Sequence, residues 1–180
     1  VIVLPATANI LCKAANGIAD EIISTILSIC EQPKLFVPAM NFRMWQSKAT
    51  QSAVESLRKN DAIIMNPEEG ELASLHKGEG RLPALHSVIN ELRAMLEGNL
   101  LAASLPLLTS DKLAEASDIL AQLDKALGKE NAANTWSELN SRYHNCLYSA
   151  ANRPQTQDLV NTLNKNADRY IRMHLLWAGG

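Results

Sequence analysis

With 180 residues, 47% hydrophobic and 20% charged, the chain has a globular composition and excludes a disordered or fibrous protein. A chain of this length buries about 70% of its unfolded surface, enough for one domain or two small ones. Its net charge of -2 excludes a global attraction to nucleic acid or to anionic membranes.

The first 67 residues alternate short apolar runs with helix-period segments. Val1–Leu4, Leu35–Met40 and Ala62–Met65 read as strands, continuous in apolar character like those of a sheet covered on both faces. Between them, Ile10 to Cys30 and Trp45 to Lys59 read as helices, the first carrying Ala14, Ile18, Ile22, Ile26 and Ile29 at three- and four-residue steps. The order is βαβαβ, which predicts three parallel strands joined by helical crossovers. No initiator Met precedes Val1, and an apolar strand as the first element predicts further sequence upstream. Asn66 to Pro83, rich in Glu, Gly and Lys, reads as a long loop of the functional kind.

From Leu85 onward the period is helical throughout. Leu85, Ile89, Leu92, Leu96 and Ala103 mark one helix, and Leu113, Ala116, Leu120, Leu123 and Leu127 the next. Trp136, Leu139, Tyr143, Leu147 and Ala150 mark a third, and Leu159, Leu163, Ala167, Tyr170 and His174 a fourth. Thr109-Ser110-Asp111 supplies an N-cap, Gly128 a stop and Asn152-Arg153-Pro154 a corner. Gly98 in mid-helix predicts a close packing contact, because it costs about 1 kcal/mol against Ala. The fold class expected is therefore α/β, a three-stranded parallel flavodoxin-like half, followed by an all-α helical bundle. The boundary falls between residues 84 and 85. No apolar run is long enough to span a bilayer. Cys12, Cys30 and Cys146 form no CxxC pair, so reduced thiols in a cytoplasmic protein are expected.

Pro5-Ala6-Thr7-Ala8-Asn9, Gly17-Ile18-Ala19-Asp20 and Pro38-Ala39-Met40-Asn41-Phe42-Arg43-Met44-Trp45 follow one another at the ends of the first two strands and in the first helix. Pro67-Glu68-Glu69-Gly70-Glu71-Leu72-Ala73 and Gly78-Glu79-Gly80-Arg81-Leu82-Pro83 come next. In these ordered motifs residues 1 to 84 resemble the flavin-dependent cysteine decarboxylases, the phosphopantothenoylcysteine decarboxylase group of coenzyme A synthesis. The resemblance implies that Thr7, Ala8 and Asn9 contact flavin mononucleotide (FMN) and that Asn41 holds a substrate carboxylate. An amide suits that role, because it donates two hydrogen bonds without bringing a charge. Met44 and Trp45 become apolar wall, and Ser74 and Arg81 belong to a flap over the substrate. Two departures limit this. Ser74 stands where the family carries Cys, and the family's first third, with its flavin phosphate loop and catalytic His, has no counterpart here. The resemblance therefore implies a segment inactive as this chain alone, with weakened FMN binding. A plainer role competes at each position: Thr7 to Asn9, and Asn41, are residue types that cap helices.

Glu91-Leu92-Arg93-Ala94-Met95-Leu96-Glu97, Leu108-Thr109, Trp136, Leu139-Asn140-Ser141-Arg142-Tyr143-His144, Ala150-Ala151-Asn152 and Arg169-Tyr170 resemble the helical effector domain of GntR-type transcription regulators. Many members bind a divalent metal through an Asp and a His four apart, with two later His residues. Here that pair is Asn140 and His144, two ligands where zinc takes four. No divalent metal is expected, and His144 reads as a structural or pocket residue; His174 reads as packing or surface. The regulator's winged helix is absent, so direct DNA binding is not expected, nor is membrane binding. Three functions follow: an FMN-binding decarboxylase-type segment, a sensor of small organic acids, or an engineered or artefactual fusion without activity. The partners expected are a small-molecule substrate or effector and a second copy of the chain.

Overall fold

A computed structural model describes residues 1–71, 77–126 and 132–165. It divides into two compact units, Val1–Leu92 and Arg93–Gly180.

The first unit is built on β1 (Ile2–Ala6), β2 (Leu35–Pro38) and β3 (Ile63–Ile64), in the order β1-β2-β3. Both pairings are parallel, as the βαβαβ pattern predicts. The central strand β2 is buried along its whole length, which its uninterrupted apolar run requires. The edge strand β1 is different. Its Val3 and Ala6 pack into the core with Leu11, Phe36 and Val54, whereas Ile2 and Leu4 on the opposite face are 38% and 43% exposed. A sheet covered on both faces was expected, and at β1 only one face is covered among the described residues.

Both connecting helices are broken where one was expected. The first is α1 (Ala8–Ala15) and α2 (Ile22–Ile29). Gly17 adopts a φ of +67° just after α1, a conformation that ends a helix and that a side chain disfavours. α2 restarts with a reciprocal cap: the Glu21 side chain accepts from the Ser24 backbone, and the Ser24 hydroxyl accepts from the Glu21 N–H at 3.2 Å. Ser24 and Leu27 face inward on α2, while Ile22, Ile26 and Ile29 face outward, Ile22 at 79% exposure. The isoleucine stripe that predicted the helix is thus its outer face. The second connection is α3 (Phe42–Trp45) and α4 (Lys48–Lys59). Between them Ser47 takes an extended ψ of 142° and caps α4 by accepting from the Thr50 N–H at 3.2 Å.

The stretch read as a loop is a hairpin. β4 (Glu68–Glu71) pairs antiparallel with β5 (Lys77–Arg81). Met40 donates its N–H to the Gly80 carbonyl at 2.9 Å, which fastens β5 to the chain leaving β2. A Cβ on Gly80 would lie 2.2 Å from the Met40 carbonyl oxygen, so only glycine permits this approach. Glu68 accepts from the Ala84 N–H at 2.8 Å, tying β4 to the start of α5 (Leu85–Ser104).

In the second unit the latter part of α5 is followed by α6 (Ser110–Ala126), α7 (Ala132–Tyr148) and a helical stretch over 154–165 (α8). The Thr109 hydroxyl accepts from the Lys112 N–H at 3.3 Å, giving the expected N-cap. Asn152 turns the corner with a φ of +50°, a conformation Asn tolerates. α6 packs on α7 through Ala116, Ile119, Leu123 and Ala126 against Leu139 and Cys146. Leu113 and Leu120, expected on that face, are exposed. The small residues Ala116 and Ala126 set the face, and Ile119 joins them at helical spacing. A second cluster gathers Leu100, Tyr148, Ala151 and Val160, beside the fully buried Ser104, whose hydroxyl donates to the Leu147 carbonyl at 2.6 Å. Among the described residues the close contact expected at Gly98 is not found, because a Cβ there would meet nothing within 4 Å. Gly128, Leu127, Ala167, Arg169, Tyr170 and His174 lie outside the described residues.

Candidate functional site

β1 and β2 run side by side and end at the same level. Ala6 pairs with Pro38, and the Ala39 N–H donates to the Ala6 carbonyl at 3.1 Å. Each strand end turns directly into a helix whose first turn needs acceptors for its free N–H groups. After β1, the Thr7 hydroxyl accepts from the Ile10 N–H at 3.3 Å. After β2, Asn41 Oδ1 accepts from the Arg43 N–H at 2.9 Å. Both residues are therefore caps, as the plainer reading held. The Thr7 hydroxyl and Asn41 Oδ1 are thus the acceptors of these two caps.

Just beyond the two caps, α1, α3 and α4 enclose an open groove of about 470 Å3 lined by Ala8, Asn9, Cys12, Arg43, Met44, Ser47, Ala49 and Thr50. Ala8 and Cys12 are one helical turn apart on α1 and face α4, where the Cys12 thiol lies 3.9 Å from the Ala49 carbonyl. The first and second motifs thus meet here: Ala8 and Asn9 from one, Arg43 and Met44 from the other. Met44 is 48% exposed, whereas Trp45 turns inward to the core at 5%, so the two expected wall residues separate. Cys12, Ser47 and Thr50 are groove residues that the motifs did not single out. The α1 spacing could have found Cys12; Ser47 and Thr50 depend on the break before α4.

Arg43 is exposed and its guanidinium carbon sits 5.6 Å from the centre of the Phe42 ring. Phe42 in turn lies under the hairpin, where a Cβ on Gly78 would come within 2.9 Å of it. Arg81 lies along the hairpin beside Gly70, 2.8 Å from where a Cβ on that glycine would stand, and is not among the groove residues. Ser74 lies outside the described residues. Lys13, on the far side of α1, bridges Asp20 and Glu21 at 2.8 Å each. Those hydrogen bonds raise the Lys13 pKa and lower that of Asp20.

In the second unit His144 is half-buried, its Nδ1 is 3.1 Å from the Tyr148 hydroxyl, and Asn140 lies one turn earlier. Burial, reinforced by Glu97, pushes the Tyr148 hydroxyl up to about 12, against a smaller opposing effect of Arg93. Arg93 Nε is buried without a hydrogen bond, 3.7 Å from Glu97. No group of three metal-binding side chains occurs among the described residues.

Against known families, the Flavoprotein profile matches residues 1–97 and the FCD domain profile matches residues 88–179. The chain belongs to the Flavoprotein family over its first half and to the FCD domain family over its second. The flavoprotein half is 38% identical over 97 residues to the coenzyme A biosynthesis bifunctional protein CoaBC of Mycobacterium bovis, covering 54% of this chain and 23% of that protein. It is 31% identical over 94 residues to epidermin decarboxylase of Staphylococcus epidermidis, covering 50% of this chain and 52% of that one. Among solved structures, a PPC decarboxylase mutant complexed with pantothenoylaminoethenethiol matches at 27% identity and a TM-score of 0.50, with 52% of each chain covered. The chain thus spans about a quarter of the length of the first relative and about half of the other two. The parallel sheet of the flavoprotein half and the helices of the FCD half agree with the fold class read from the sequence. Among the described residues, no helix is long and apolar enough to cross a membrane.

Proposed function

We propose that the flavoprotein half is an FMN-binding segment of the cysteine decarboxylase type. The groove at the carboxyl ends of β1 and β2 carries this reading, because it gathers both strand-end motifs at the position where open α/β sheets take ligands. Its chemistry fits a flavin ring: Ala8 and Met44 offer apolar walls and Asn9 an amide for ring heteroatoms. FMN, when bound, supplies two-electron redox chemistry. Asn41, at the end of β2 where β5 with its Arg81 is fastened, orients a substrate carboxylate. Among the described residues, those that line the groove include no His, Asp or Glu to transfer a proton. We therefore assign this chain cofactor binding, and not decarboxylation by itself. A titration of FMN against the purified chain, read by quenching of flavin fluorescence, tests this. Saturable quenching that weakens in Asn9→Ala supports it, and no quenching at millimolar protein sinks it.

The second half supports a second reading, as a small-molecule effector domain. The buried Arg93 Nε, which makes no hydrogen bond among the described residues and faces Glu97 only at 3.7 Å, lies near Tyr148 as a cation able to receive an organic acid. A thermal shift with small carboxylates that disappears in Arg93→Met would support it, whereas shifts equal in both proteins would remove it. His144 serves Tyr148 in this reading, and neither a divalent metal nor DNA is assigned to the chain. We also infer self-association through the uncovered face of β1 and the isoleucines of α2, which leave large apolar surface exposed. Sedimentation velocity giving a single monomeric species at micromolar concentration would contradict it.

A further inference from the structure

We propose that Arg43 makes the groove selective for a ligand bearing an oxyanion, and that the β4–β5 hairpin holds its guanidinium in place through Phe42. The inference rests on the groove being the cofactor site assigned above. Three observations carry it. First, Arg43 is the one charged residue among the eight that line the groove; Ala8, Asn9, Cys12, Met44, Ser47, Ala49 and Thr50 bring no formal charge. Second, none of the ion pairs among the described residues includes Arg43, although the chain as a whole carries a net charge of -2. A cation that meets no acid among the described residues is open to an anion from outside. Third, the side chain is stacked: its guanidinium carbon is 5.6 Å from the Phe42 ring centre, and that ring is wedged beneath Gly78 of β5.

The arrangement has a direction. Gly78 has no Cβ, so β5 can press on Phe42; Phe42 presents its face to Arg43; and Arg43 borders the groove. A planar guanidinium held in this way loses less freedom when it grips an oxyanion than a free one would, and two of its N–H groups can meet two oxygens at once. Two sources of oxyanion fit the assigned site: the phosphate of the flavin, and the carboxylate of a cysteine-type substrate. Both reduce to one prediction, that removing the negative charge from the ligand removes the contribution of Arg43.

The test titrates the full chain with two pairs of probes, FMN against riboflavin and N-acetylcysteine against its amide. It uses wild type, Arg43→Gln, Arg43→Lys and Gly78→Ala, with calorimetry as the readout. The expected result is that Arg43→Gln weakens the charged member of at least one pair by about tenfold and leaves the neutral member within about twofold. Arg43→Lys recovers part of the loss, because it restores charge without the planar fork. Gly78→Ala reproduces part of it with the charge intact, because it displaces Phe42. The effect shrinks as salt is raised, since Arg43 is exposed. The FMN pair identifies the phosphate as the source, and the cysteine pair identifies the carboxylate. Equal weakening of charged and neutral probes, or none at all, overturns the inference. If neither flavin binds while N-acetylcysteine still binds through Arg43, the cofactor reading fails and the oxyanion site stands. If none of the four probes binds, both fall.

Discussion

Replacing Gly80 with alanine tests whether the hairpin is part of the site or only lies near it. The added Cβ would stand 2.2 Å from the Met40 carbonyl oxygen and 3.2 Å from the Phe42 nitrogen, both backbone atoms that no side-chain rotation can clear. A tolerable carbon–oxygen contact is about 3.3 Å, so β5 must retreat by roughly 1 Å. That stretches the 2.9 Å bond from the Met40 N–H to the Gly80 carbonyl beyond hydrogen-bonding range. Losing the bond costs about 1 kcal/mol and the forced displacement a further ~1–3 kcal/mol. Together they place the cost near 2–4 kcal/mol, concentrated on the hairpin and the turn after β2. Two compact units do not guarantee a single unfolding transition, so the local readout is preferable to a melting temperature. Amide hydrogen exchange followed by mass spectrometry reads the loss directly, as faster exchange in peptides covering Met40 and Lys77–Arg81. The same variant should weaken any ligand bound in the groove, because Phe42 and Arg43 lose their backing. Unchanged exchange in both peptides would refute the close packing of hairpin on turn, and the role of the hairpin with it.

Gly98→Ala should do the opposite. Its Cβ enters open space in the middle of α5, so the variant gains about 1 kcal/mol, read as slower amide exchange across α5; faster exchange there would reveal a packing role. Ser47→Ala removes the cap of α4 and should cost ~1 kcal/mol, read by urea denaturation of the flavoprotein half; an unchanged midpoint would contradict it. The raised pKa of Tyr148 has a definite sign. Its proton is held to about pH 12 in the folded chain but is lost near pH 10 when unfolded, so its contribution is complete below pH ~10 and falls away as pH rises toward 12. Tyr148→Phe should flatten that part of the stability profile, and a profile as steep as wild type would rule it out. Zinc added to the full chain should show no binding that depends on His144, which is held to Tyr148; loss of zinc affinity in His144→Ala would contradict this.

The large features of this chain are legible because they rest on pattern. An uninterrupted apolar run made β2 a buried strand, and unbroken helical periodicity made the second half helical. What was missed depends on single residues acting at a distance. Gly17 and Ser47 each break a helix through one backbone angle, while the apolar spacing runs on across the break. The same spacing misplaced faces: Ile22, Ile26 and Ile29 face outward, and in α6 Ala116 and Leu123 of the expected stripe face inward while Leu113 and Leu120 are exposed and Ile119 and Ala126 take their place. The hairpin was read as a loop because its strands are built from Glu, Gly, Lys and Arg, residues poor in strand propensity, and because its support is a tertiary contact with Met40. Within the site, Ala8, Asn9 and Met44, drawn from two motifs, line one groove. Arg43 drew no attention as a single basic residue in a turn, and only its position over Phe42 gives it meaning.

The most direct test of the central assignment is a crystal structure of the chain grown with FMN. The account predicts ring density between Ala8, Asn9 and Met44 at the ends of β1 and β2. Flavin seated among the helices of the second unit, or a groove filled by the chain's own side chains at saturating FMN, would contradict it.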